Sequence, residues 1–252
     1  MNTATMADTS KMASRSADAG QKRPFIQRLF TDIAPRYDWF NRLASCGMDS
    51  HWRSTALRRA DLSPGMRVLD VCAGTGDLAL LTARRANGSG FVVGLDMNPA
   101  MLAYADSKSQ TQQLPVSWVL GDAQALPFPD GSFDRVVIGF STRNLSDLTQ
   151  GLKEMVRVLK PQGKLVILET GRPGNVLLRA GYWLFLFTVI PVIGLLLTGR
   201  LWPFRYLAQS TKQFITPRQF VERLQSLATE AAYVPLTGGL VSLYLATKTG
   251  RA

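Results

Sequence analysis

Five short apolar runs recur through the middle of the chain: MRVLDV (66–71), FVVGLD (91–96), VSWVLGD (116–122), FDRVVIGF (133–140) and KLVILE (164–169). Runs of this length, rich in β-branched residues and bounded by turn signals, read as buried strands. The segments between them carry apolar positions at helical spacing. They predict a helix from the Gly-rich turn to about Asn87, a second near Pro99–Ser109, and a third over Asp147–Lys160 with Asp147 near its N-cap. Strands alternating with helices specify an α/β fold, a parallel sheet covered on both faces. Upstream, residues 25–60 predict two or three short helices broken at Pro35 and around Gly47. Downstream, TPRQFVERLQSLATEAAY predicts a helix capped by Thr216 with Pro217 at its first position, followed by two short strand-like runs separated by TGG.

DVCAGTGD, Asp70 to Asp77, falls at a strand-to-helix junction, where glycines let backbone approach a ligand and the helix N-terminus favours electron-rich groups. Asp96 ends the second strand, where a carboxylate can accept both hydroxyls of a ribose. Gly74, Gly76 and Ala79 also satisfy the loose dinucleotide fingerprint, so at this point an NAD enzyme remains a rival.

The next strand ends separate the two. GDAQALPFPDGSFD puts Asp122 and Ala123 past the third strand, and the third helix runs into RVLKPQG (157–163). This ordered series resembles the class I S-adenosylmethionine-dependent methyltransferases. YDWFNRLASCGMDSHWR (37–53) and RVLKPQGKLVILE (157–169) are similar to the two signatures of the UbiE/Coq5 ubiquinone/menaquinone C-methyltransferase family. FSTRN (140–144) is similar to its F-G-x-R-N segment, and LTGGLVSLYLATK to its last two strands. The resemblance covers residues 25–249. It implies a Rossmann-like, seven-stranded, mostly parallel sheet in a single domain over 25–252, with a helical cap (25–62) and an apolar lid inserted after strand five (172–212). It implies S-adenosylmethionine bound by Asp70, Gly74, Thr75, Gly76, Asp96, Met97, Asp122, Ala123 and Gly139, with Arg143, Asn144 and Tyr37 in the catalytic pocket.

The implied reaction is methylation of a ring carbon on a prenylated quinol, either demethylmenaquinol or a methoxy-benzoquinol precursor of ubiquinone. Such a carbon is nucleophilic once a neighbouring phenol loses its proton, so the site needs a proton acceptor or a water relay. A guanidinium stays protonated, so Arg143 is expected to stabilise phenolate charge or orient water, with Tyr37 as a relay. His51, the single histidine, is read as structural, and Cys72 as a packing residue. The chain departs from the family pattern at Phe40, where methionine is usual, at Ser141, and in GRLWPFRYL (199–207), which replaces an acidic, tyrosine-bearing run. These departures leave open a same-fold methyltransferase acting on another lipid, and a cofactor-binding assembly protein without catalysis.

The remaining feature is YWLFLFTVIPVIGLLLT (182–198), inside a run of twenty uncharged residues between Arg179 and Arg200. That length can span a bilayer. Strands precede and follow it, however, and one sheet cannot sit on both sides of a membrane. Pro191 and Gly194 favour two short helices. The chain carries a formal charge of +11, and from Thr170 to Val221 there is no acidic residue. Basic flanks beside an apolar run suit an anionic membrane surface better than a nucleic-acid groove, which needs aromatics interleaved with the charges. The expectation is a lid that shelters a prenyl tail and dips into the membrane, with a buried core helix as the alternative. Residues 1–24 read as a disordered tail, with a transit peptide as the minor alternative. Cys46 and Cys72 offer no metal spacing, so no metal is expected; a reducing, cytoplasmic location with peripheral membrane attachment and a homodimer complete the expectations.

Overall fold

The computed structural model describes residues 19–86, 90–227 and 229–250, with side chains from residue 21 onward. A seven-stranded sheet in the order β3-β2-β1-β4-β5-β7-β6 forms the centre. Its strands are β1 (Arg67–Val71), β2 (Phe91–Asp96), β3 (Val116–Leu120), β4 (Phe133–Gly139), β5 (Leu159–Thr170), β6 (Thr229–Leu236) and β7 (Val241–Lys248). The pairs from β3 through β5 are parallel, and β7 runs antiparallel to both β5 and β6. Burial explains the strand sequences: Val68, Leu69, Val71, Val136, Val137 and Ile138 are almost fully enclosed, as parallel strands with helices on both faces require.

The order reverses at β1, which has β2 on one side and β4 on the other. That switch point opens a crevice beyond the carboxyl ends of the strands, where open α/β sheets bind ligands. Helices α4 (Asp77–Arg85), α5 (Pro99–Gln112) and α6 (Leu148–Val158) make the crossovers. Asn98 and Asp147 cap α5 and α6 through side-chain oxygens. Thr216 and Gln219 form a capping box on α9 (Pro217–Gln225), with Pro217 in its first turn.

Helix α6 ends at Val158, not at Lys160, and β5 begins at Leu159, ahead of the expected 164. Pro161 is the cause: it disfavours helical backbone at Lys160 and releases the chain into an extended path. Helix α1 (Ala19–Ile33) corrects the tail boundary, because residues 19–24 are helical; the rest of the expected tail, 1–18, lies outside the described residues. Helices α2 (Tyr37–Ala44) and α3 (Met48–Arg59) complete the cap, with a 3-10 turn at Ala34–Arg36 and left-handed Gly47 as the breaks.

The apolar insertion is one helix, α7 (Val176–Thr198), and not two. Pro191 removes a backbone donor, and a π-helical stretch at Phe185–Val189 absorbs the change: the Ile190 N–H donates to the Phe185 carbonyl, five residues back. Gly194 is a close-approach site, since a Cβ there would stand 2.0 Å from Cδ2 of Phe204 on α8 (Trp202–Gln213). Because β7 pairs with β5 from Lys164 to Thr170, both ends of the insertion return to the same sheet.

Candidate active site

Two cavities meet beyond the switch point. The first is a cleft lined along the sheet edge by Asp122 and Ala123 past β3, Asp96 and Met97 at the end of β2, Asp70 on β1, Gly74 and Thr75 in the turn, and Gly139 at the end of β4. The structure therefore gathers the expected cofactor residues in one crevice, with one exception. Gly76 stands behind the lining: its φ of +84° shapes the turn, and a Cβ there would meet Cη2 of Trp118 at 2.6 Å.

Asp96 is held firmly. Its Oδ2 accepts from the Gly74 N–H and its Oδ1 from the Asn98 N–H, both at 2.8 Å. Each oxygen keeps a lone pair for a ligand hydroxyl. Burial raises its pKa, against the opposing pull of those amides. Asp70 is more extreme. It is 1% exposed and its Oδ2 has no hydrogen-bond partner among the described residues, so burial, with Asp96 adding to it, pushes its pKa well up. A buried carboxylate oxygen without a donor costs free energy until a cation arrives. The ammonium of S-adenosylmethionine would fit that need and Asp96 would suit its ribose; Asp122, past β3, stands on the other side of Asp96 from Asp70.

The second cavity, about 420 Å³, lies between the cap and α7. Its walls are apolar, with Leu29, Phe40, Phe185, Leu186, Ile190 and Phe204 among them. Phe30, Tyr37, Arg53 and Asn144 line both cavities, so the two share a wall. Arg143 lines only the second. Its guanidinium Nη1 donates to Glu169 Oε1 at 2.6 Å and to the Phe140 carbonyl at 2.5 Å, while its buried Nε has no partner among the described residues. Burial opposes the Arg143 charge, but Glu169 outweighs it and the net shift is upward. Tyr37 has its pKa raised by burial, and Tyr206, whose hydroxyl donates to Asn144 Oδ1 at 3.3 Å, is pushed up to about 12 by burial. Both are neutral donors near pH 7.

Several contributors escaped sequence reasoning. Lys22, in the stretch expected to be tail, donates to the carbonyls of Arg143 and Leu145 at 3.1 and 2.6 Å; Arg23 beside it pairs with Asp122 at 3.0 Å. Their signal was lost in a polar, low-hydrophobicity segment. Glu169, fully buried at the end of β5, also accepts from Thr142 Oγ1 and from the Arg143 and Thr170 amides. A lone acid closing an apolar strand, as Asp96 closes β2, was the available clue. Asp38 accepts from Thr75 Oγ1 at 2.5 Å and ties the cap to the glycine turn. His51 is exposed and lines neither cavity. Cys72 is half-buried and takes a left-handed φ of 55° in the turn, and no cluster of metal-ligating side chains occurs among the described residues.

Comparison with known proteins places these features in context. The ubiE/COQ5 methyltransferase family matches residues 16–248. A demethylmenaquinone methyltransferase from Deinococcus radiodurans is 39% identical over 92% of this chain and 95% of its own length. One from Thermus thermophilus is 40% identical over 86% and 98%. The ubiquinone/menaquinone biosynthesis C-methyltransferase UbiE of Geobacter sulfurreducens is 38% identical over 90% of both chains. Among solved structures, an S-adenosylmethionine-dependent methyltransferase from Aquifex aeolicus superposes with a TM-score of 0.61 at 18% identity, covering 83% of this chain and 97% of that one. At that identity the likeness establishes the fold alone.

Proposed function

The chain belongs to the ubiE/COQ5 methyltransferase family, and from that premise we propose that it methylates a ring carbon of a prenylated quinol, with demethylmenaquinol as the preferred acceptor. It is an S-adenosylmethionine-dependent methyltransferase with a Rossmann-like class I fold. The observation that carries the choice of acceptor is the apolar cavity beside the cofactor cleft, whose lining includes the buried Arg143 guanidinium held by Glu169. A flat ring with a hydrocarbon tail suits such walls, and its phenolic oxygen suits Arg143.

S-adenosylmethionine supplies an electrophilic methyl group on a sulfonium. The protein's residues align the acceptor and exclude water. In this reading Arg143 stabilises negative charge on the phenolic oxygen, which makes the neighbouring ring carbon nucleophilic. Glu169 holds the guanidinium in place. Asn144 and Tyr37, on the wall between the cavities, orient the ring. The ring carbon gains a methyl group and loses a proton, and Tyr37 relays protons to water because no histidine lines the cavity.

Helix α7 extends the proposal to the membrane. Its inner face lines the acceptor cavity through Tyr182, Phe185, Leu186 and Ile190, while Leu177, Leu184, Val192 and Leu196 are exposed. An apolar stripe of this kind, with exposed Arg205 and Lys212 on the next helix, favours shallow insertion into an anionic bilayer on the cytoplasmic side. Arg200 and Arg218 contribute less, because Asp32 and Glu222 pair with them. A homodimer covering the same stripe is the competing arrangement.

Purified protein incubated with labelled S-adenosylmethionine and vesicles carrying different quinols tests the proposal. Methylation of demethylmenaquinol above methoxy-benzoquinols is the expected result. Label appearing only in another lipid would overturn the acceptor, and binding of cofactor without any transfer would support the non-catalytic reading.

A further inference from the structure

Strand position orders the cofactor cleft. Asp122 stands past β3, Asp96 ends β2, Asp70 lies on β1 and Gly139 ends β4, and these strands are consecutive in the sheet. A ligand with its ribose on Asp96 and its base toward Asp122 must extend its third part toward β1 and β4. In S-adenosylmethionine that part is an amino acid, with an ammonium and a carboxylate. Asp70 answers the ammonium. The carboxylate needs donors of its own.

Among the described residues two cations line the cleft, Arg23 and Arg53. Arg23 is at the base end, paired with Asp122 at 3.0 Å. Arg53, on α3, is at the other end: its Nη2 lies 3.8 Å from Asp77 at the start of α4, and its guanidinium stands 5.9 Å from the ring centre of Phe140, just past β4. We propose that Arg53 is the anchor for the cofactor's carboxylate, an assignment that rests on reading the cleft as the S-adenosylmethionine site.

The donor count supports this role. A guanidinium carries five N–H groups. Among the described residues only Nη1 of Arg53 makes a hydrogen bond, to Asp49 Oδ2, and Asp49 is itself fixed by Ser45. Asp77 is beyond hydrogen-bond reach of Nη2 because Lys108 draws its other oxygen to 2.6 Å. Nε and Nη2 therefore retain their donors in a side chain only 11% exposed. A planar fork with two spare donors matches a carboxylate. Arg53 also lines the acceptor cavity, so holding the carboxylate there fixes how far the sulfonium reaches toward the shared wall.

Calorimetry with S-adenosylhomocysteine and its decarboxylated amine tests the assignment, because the two ligands differ only in the carboxylate. The wild type is expected to bind the acid more tightly by roughly 10- to 100-fold. Arg53→Met should abolish that preference by weakening the acid while leaving the amine unchanged, and Arg53→Lys should keep part of it. Preserved preference in Arg53→Met, or equal loss of both ligands, would overturn the assignment. Failure of the wild type to bind either ligand would overturn the cofactor reading on which it depends.

Discussion

Glu169 and Arg143 form a buried ion pair, Oε1 to Nη1 at 2.6 Å, at the carboxyl edge of neighbouring strands β5 and β4. Glu169 accepts four further hydrogen bonds, from Thr142 Oγ1, the Arg143 and Thr170 amides and Thr170 Oγ1. The carboxylate is thus fully occupied, while the buried Nε of the guanidinium has no partner among the described residues. In the proposed reading Glu169 positions the guanidinium and Arg143 is the member of the pair that touches substrate.

Removing one member of this pair leaves the other charge buried. Glu169→Ala should cost about 3–5 kcal/mol in urea unfolding. Glu169→Gln, which retains the shape, should fold better and still lose at least roughly tenfold in kcat, with S-adenosylhomocysteine affinity unchanged.

Among the described residues no histidine lines the acceptor cavity, and burial shifts its tyrosines Tyr37, Tyr182 and Tyr206 upward, so that they stay neutral near pH 7. In the proposed mechanism the reactive species is the substrate's phenolate, whose formation Arg143 would favour. Turnover should therefore rise with pH above neutrality, and Arg143→Met should displace the rise to higher pH. A pH–rate profile for both proteins checks this.

In the proposed cofactor site Asp70 would couple ligand binding to a proton. Burial raises its pKa well above 3.8, so the folded, unliganded protein holds a proton that the unfolded chain has already lost. The unliganded protein should accordingly lose stability as pH rises from about 4 through the raised value. An ammonium on Oδ2 favours the ionised form, so ligand binding releases that proton. Calorimetry of S-adenosylhomocysteine binding in buffers of different ionisation enthalpy should detect the release, and Asp70→Asn should remove it.

Helix α7 has two faces with separable duties. Leu196 is 80% exposed, so Leu196→Ser should weaken vesicle co-sedimentation with little effect on folding. Phe185 lines the cavity, so Phe185→Ser should raise KM for a long-tailed quinol while vesicle binding holds. Combining them should reduce both and spare cofactor affinity. Collapse of cofactor affinity and folding would favour the buried-core alternative.

The parallel sheet, the glycine turn and the acids ending β1 and β2 were legible because each depends on a local pattern: an apolar run, a turn, a terminal carboxylate. Other features depend on partners far apart in the chain. Lys22 acquires its role only when α1 crosses the turn after β4. The continuity of α7 depends on a π-helical register that Pro191 alone does not announce. Two departures from the family pattern, Phe40 and Phe204, prove to be neighbours with ring centres 4.4 Å apart. As separate positions they left the acceptor open; together they form part of one apolar wall of the second cavity.

The most direct measurement is the structure of the methylated product. Demethylmenaquinol in anionic vesicles, incubated with the protein and carbon-13 methyl-labelled S-adenosylmethionine, should yield menaquinol with the label bonded to the unsubstituted ring carbon, as read by NMR, and Arg143→Met should yield almost none. Label on a phenolic oxygen, or undiminished transfer by Arg143→Met, would contradict the account.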